Sequence, residues 1–174
     1  MEELLFSALD IACIIDNFDL SERRANELIN RIWNEDRSFL LANYRNNYRQ
    51  WILDVRYWSH YLYDKVTFDK ELPAILSDCK DSLDDELFIE DDFNFDLFFK
   101  SIRIRILYIE ESGYTRMKLR TLLSAYGYKR RSQDFISYVK KCLNFYHIQT
   151  TLRGNVPCDV ECINLDDMIT FRVI

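Results

Sequence analysis

Three cations in a row, Lys129, Arg130 and Arg131, follow a Tyr-Gly-Tyr turn and precede Ser132 and Gln133 in the stretch AYGYKRRSQDF. Side chains of this type can hold phosphate. Each cation that neutralises a phosphate releases condensed counterions, so the affinity is electrostatic and falls steeply with salt. Ser132 is placed to cap the helix that QDFISYVKKCLNFY predicts. On that helix Gln133, Ser137, Lys140 and Lys141 share an outward face, and Phe135, Ile136, Val139, Cys142, Leu143 and Tyr146 turn inward. The lysines could position a duplex, while Gln133 and Ser137 could read base edges. Arg153, in the loop beyond, extends the same basic set. The competing reading is a solvated basic face with no ligand.

Other chemistries find little support. His60 lies in an aromatic helical run and His147 at a helix-to-strand corner, and both read as structural or exposed rather than as general bases. No glycine-rich phosphate loop, HExxH or GxSxG occurs. Asp64, Asp69 and Asp78 beside Lys80 could be forced into a nuclease-like set, but they fall on a predicted helix where a metal-bearing strand is needed. The five cysteines (Cys13, Cys79, Cys142, Cys158, Cys162) are odd in number and form no CxxC pair. Cys158 and Cys162, with His147 upstream, lack a fourth zinc ligand, so free thiols in a reducing compartment are expected. No catalytic residue, cofactor or metal is therefore expected, and the chain does not read as an enzyme.

The elements that must position the basic residues emerge from periodicity. The spacing predicts a helix over 2–15, a second after a cap in Asp19-Leu-Ser21, and a long third helix from about Asn34 to Asp64. Leu40, Tyr44, Tyr48, Trp51, Val55, Trp58 and Leu62 share a face of the third, which reads as a central helix gripped on several sides. A shorter helix is expected from about Asp69 to Asp81, with Pro73 in its first turns. The acid-dense run CKDSLDDELFIEDDFNFDLFF then marks a boundary. SIRIRILYI alternates as a strand would, with Ile102, Ile104 and Ile106 on one side and Arg103 and Arg105 on the other. These arginines are expected to pair with the acids of 81–96. Beyond it come a helix over TRMKLRTLLSAY, a turn at Gly127, the helix after Ser132, a strand in HIQTTLR, a loop through Gly154 and Pro157, and a returning strand in MITFRVI.

Composition frames these elements. Of 174 residues, 48% are hydrophobic, which suffices for a core, and three glycines and two prolines argue against a disordered chain. No apolar run is long enough for a membrane span and the N-terminus is acidic, so a soluble cytoplasmic protein is expected. The net charge of −6 conceals a split: residues 1–113 hold 13 cations against 24 acids, and residues 114–174 hold 10 against 5.

Strand, helix, glycine turn, helix, strand, loop, strand is the order of a winged helix-turn-helix. The run LLSAYGYKRRSQDFISYVKKCLNFYHIQT resembles winged helices that carry Tyr-Gly and then Arg-Arg before the second helix, modules found beside nucleases or regulators in prokaryotic defence loci. Phe145-Tyr146-His147-Ile148 stands where that pattern often has a Leu-Gly corner. The resemblance covers about 95–174. It implies duplex DNA as partner, contacted through Lys129, Arg130, Arg131, Ser132, Gln133, Ser137, Lys140, Lys141 and Arg153.

The expectation is thus a mainly α protein: an acidic helical domain or bundle over 1–90 and a winged helix-turn-helix with a small β-sheet over 95–174. The first reading is a non-catalytic DNA-binding protein, possible as a homodimer through its helical part. The alternative is an adaptor or inhibitor subunit that binds no nucleic acid and docks a protein through its acidic, aromatic helices.

Overall fold

The computed structural model describes residues 4–63, 95–125 and 131–174. The fold is mainly helical, with one small antiparallel sheet. The chain divides into two compact units, Met1–Leu87 and Phe88–Ile174. The helix expected over 69–81, the acidic boundary run up to residue 94, and Gly127, Lys129 and Arg130 lie outside the described residues.

The first unit contains α1 (Ala8–Asn17), α2 (Glu22–Glu35) and α3 (Tyr48–Tyr63). Ser7 opens α1 with a reciprocal cap: its hydroxyl accepts from Asp10 N at 3.1 Å, and Asp10 Oδ2 accepts from Ser7 N at 2.7 Å. The helix thus begins at Ala8 and not at residue 2. The chain before it is held by Phe6, whose N–H donates to Phe39 O and whose carbonyl accepts from Leu41 N. Asp19, expected to help cap α2, instead closes α1 at φ 46°. Leu20 N reaches Ile15 O and Asp19 N reaches Asp16 O, the bond pair of a Schellman turn. Ser21 precedes α2 but makes no side-chain cap bond.

The long helix expected from Asn34 is a second correction. After α2 the chain makes a 3₁₀ turn at Arg37–Phe39 and extended backbone at Leu40, and only then enters α3. Asn47 starts that helix, its Oδ1 accepting from Gln50 N at 3.1 Å. The apolar face expected of one continuous helix is therefore supplied by two segments that fold together. Leu40 and Tyr44 precede α3, Trp51 and Val55 lie on it, and all four are buried. Tyr44 meets Trp51 edge-on at 5.3 Å, and Trp51 Nε1 donates to Ile29 O across to α2. Burying one such aromatic contributes about 2–3 kcal/mol.

The second unit begins with α4 (Phe95–Ile104), continued by a π-helical turn at Arg105–Ile109. A strand was expected here, from the alternation of Ile102, Ile104 and Ile106. Over a longer window the buried residues Phe99, Ile102, Arg103 and Ile106 follow helical spacing, which decides the segment. Arg103 is therefore interior, its Nη1 donating to Tyr146 O at 2.6 Å, and Arg105 pairs with Glu110. Residues 115–118, expected to open a helix, form β1 (Thr115–Lys118), and α5 (Leu119–Ala125) follows directly.

The remaining elements are α6 (Gln133–Phe145), β2 (Ile148–Thr151) and β3 (Met168–Val173). β3 is central, antiparallel to both neighbours, giving the order β1–β3–β2. Thr115 lies opposite Phe171, and Ile148 opposite Val173. Ile169, Phe171 and Ile148 form the buried face of the sheet with the inward residues of α6. His147 takes the left-handed conformation at φ 52° between α6 and β2, in the place where a glycine corner was looked for. Gly154 and Asn155, at φ 80° and 61°, make the tight bend after β2, closed by Leu152 N to Val156 O at 2.8 Å.

Candidate nucleic-acid interface

Of the residues singled out for nucleic acid, seven lie in the described structure. Ser132 caps α6, its Oγ accepting from Phe135 N at 3.2 Å. Gln133, Ser137, Lys140 and Lys141 are all exposed on the outward side, while Phe135, Ile136, Val139 and Cys142 are buried. The helical period explains both sets. Arg153 is exposed in the bend beyond β2.

The charges are less open than their exposure implies. Lys140 Nζ lies 2.8 Å from Glu161 Oε2 and 3.4 Å from Asp159 Oδ1. The hydrogen bond to Glu161 raises the Lys140 pKa, and the same bond lowers that of Glu161, to which Gln133 also contributes a side-chain hydrogen bond. Asp159 is held low first by the Glu161 backbone N–H, at 3.0 Å, and then by Lys140. Arg120 on α5 makes a two-pronged pair with Asp166, both contacts at 3.0 Å, which lowers the Asp166 carboxyl. Lys141 lies over the Tyr138 ring at 5.6 Å.

Arg131 is tied to the loop beyond β2. It is half-buried, and Nη1 donates to Ile163 O at 2.6 Å and Val160 O at 3.1 Å. Val160 and Ile163 are themselves buried, so this guanidinium pins the β2–β3 loop beside the start of α6. From Tyr114 to Arg153 the sequence holds nine cations against one acid, Asp134, and the acids come after that stretch. Those acids are Asp159, Glu161, Asp166 and Asp167, of which the fold returns Asp159, Glu161 and Asp166 to Lys140 and Arg120.

A second basic group was counted but not singled out. Arg116 and Arg172 both lie against Tyr114, their Cζ atoms 4.8 and 5.6 Å from the ring centroid. The signal available in sequence was the alternation of Arg116 and Lys118 along TRMK. In the first unit His60 is exposed on an open cleft with Asp16, Asp19, Glu22 and Arg56, and no hydrogen bond ties it to a nucleophile among the described residues. Trp51, from the aromatic face considered for protein docking, is fully buried within its own unit. No described helix is long and apolar enough to cross a membrane. No protein-family model, curated protein or solved structure matches this chain.

Proposed function

We propose that the chain is a non-catalytic DNA-binding protein whose second unit is a winged helix-turn-helix. The observation that carries the reading is topological. Helix, strand, helix, helix, strand, strand, with the last strand between the other two, is the arrangement such a module requires. It leaves the outward row of α6 in solvent, where Gln133, Ser137 and Lys141 could meet base edges and phosphates. Lys140 would exchange its carboxylates for phosphate. Exposed ion pairs are worth little, so the exchange is a small cost.

The test is a salt titration of binding to random-sequence duplex DNA by fluorescence anisotropy. Log affinity should fall linearly with log salt, with a slope of several units, at about 0.9 per phosphate contacted. Lys140→Gln with Lys141→Gln should lessen the slope by about 1.8. A wild-type chain that leaves duplex DNA unbound at about 50 mM salt overturns the reading.

The adaptor reading is favoured by one observation: Asp159 and Glu161 already neutralise Lys140, the central cation of the α6 face. It predicts a protein complex that persists at about half-molar salt, where exposed charge pairs are screened over about 4 Å.

A further inference from the structure

One side of the sheet carries arginines that make no ion pair among the described residues. By register Arg116 and Lys118 of β1, Thr170 and Arg172 of β3, and Gln149 and Thr151 of β2 share that side, opposite the Ile169 and Phe171 side. Arg116 and Arg172 make no ion pair among the described residues. Arg172 gives Asn155 Oδ1 a single hydrogen bond at 3.3 Å, and the contact of Arg116 is with the Tyr114 ring. Lys118 lies near Asp166, whose carboxyl it helps to lower after Arg120. Two guanidinium groups thus converge on one ring, repel one another and keep most of their N–H donors free. On the same side Thr151 is buried, and its hydroxyl has no hydrogen-bond partner among the described residues.

We infer that this sheet face is a second nucleic-acid contact, separate from α6, in which Arg116 and Arg172, held by Tyr114, each bind a backbone phosphate. The inference rests on the DNA-binding reading and names a surface which that reading does not use. A nucleic-acid strand fits better than a mononucleotide because the groups are spread over three strands, about 10 Å across, on a sheet face, whereas small ligands are taken by concave sites. Arginine suits the role, since its planar fork can stack on a ring and still donate to phosphate oxygens in its own plane.

The experiment compares the full chain with Arg116→Gln/Arg172→Gln on a fluorescein-labelled random duplex of about 25 base pairs, a length chosen to exceed two helical turns. Circular dichroism checks that the variant is folded. The inference expects the salt slope to shrink by about 1.8, with the Lys140→Gln/Lys141→Gln loss additive to it. Arg116→Lys/Arg172→Lys should keep the slope while lowering affinity, a separation that a merely structural role would not produce. If the wild-type chain binds steeply and Arg116→Gln/Arg172→Gln binds identically, the sheet face is no contact, although the DNA-binding reading stands. If the wild-type chain does not bind, both fall. Competition by millimolar inorganic phosphate at constant ionic strength, lost in Arg116→Gln/Arg172→Gln, would replace the nucleic-acid strand by a single-anion ligand and overturn the inference.

Discussion

Asp19 sits where a helix end asks for glycine. It is exposed, in the left-handed region at φ 46°, and places a negative charge at the C-terminal end of α1 beside Asp16. Left-handed backbone costs a non-glycine residue about 1–2 kcal/mol, and an acid at that end of the dipole adds a few tenths. Asp19→Gly should therefore stabilise the first unit by about 1 kcal/mol, after allowing for glycine's greater freedom when unfolded. A urea midpoint followed by tryptophan emission would show it. Arg103 is the opposite case. It is buried and donates to Tyr146 O, at the end of α6 where carbonyls lack helical partners. Arg103→Met keeps the stem and removes the donors, and should cost the second unit about 2 kcal/mol in chemical denaturation. The cap at Ser132 was legible from sequence because its acceptor and donor are three residues apart. The interior place of Arg103 was not, because its acceptor is 43 residues away.

Among elements, α6 and the β2–β3 loop depend on one another. Arg131 holds the loop carbonyls, while Asp159 and Glu161 hold Lys140. The carboxyls of Asp159, Glu161 and Asp166 are all lowered in the folded chain. Their contribution is present above the ordinary carboxylate range and is lost as pH falls through the lowered values. Acid should loosen the loop from α6, and Asp159→Asn/Glu161→Gln should flatten that dependence. Hydrogen exchange of the loop amides, compared between pH 6 and pH 3.5 after correction for intrinsic rates, checks both statements. Removing the Arg131 guanidinium by Arg131→Met should raise exchange of the same amides at either pH. The helix α6 and both strands after it were readable from periodicity. α4 was misread because period two over Ile102–Ile106 is too short a window to outweigh the helical spacing that starts at Phe99. The start of α3 also had a signal, Asn47 three residues before Gln50, of the kind that caps helices.

For the whole molecule, the two units should respond to opposite ends of the pH scale. In the first, burial pushes the Cys13 thiol up to about 12, with Asp10 and Asp16 adding to the effect. Burial and the Asp54 carboxylate, 2.9 Å from the hydroxyl, raise Tyr44 as well. Both groups keep their protons in the folded chain after the unfolded chain has lost them. Stability is thus intact below about pH 9 and falls as pH rises above it. The second unit holds the three lowered carboxylates and weakens in acid, while burial raises its Cys158 thiol as well, by less than Cys13. All three tryptophans, Trp33, Trp51 and Trp58, belong to the first unit, so their fluorescence reports on it alone. In an acid titration, circular dichroism should change before tryptophan emission; in an alkaline titration, tryptophan emission should change first.

By itself the sequence determined what depends on a few neighbouring residues. These are the inward and outward faces of α6, the Ser132 cap, the bend at Gly154, the two closing strands and the uneven distribution of charge. The cap and the bend follow from hydrogen bonds that span four residues or fewer, the helix face and the strands from the period of their apolar residues, and the charge split from order along the chain. Tertiary structure decided which charges remain open. Lys140 meets Glu161 across 21 positions and Arg120 meets Asp166 across 46, while Arg116 and Arg172 share a ring from different strands. Charge counts along a chain sum residues by order, but electrostatic pairing acts through distances of a few ångströms that only loop closure and sheet register create.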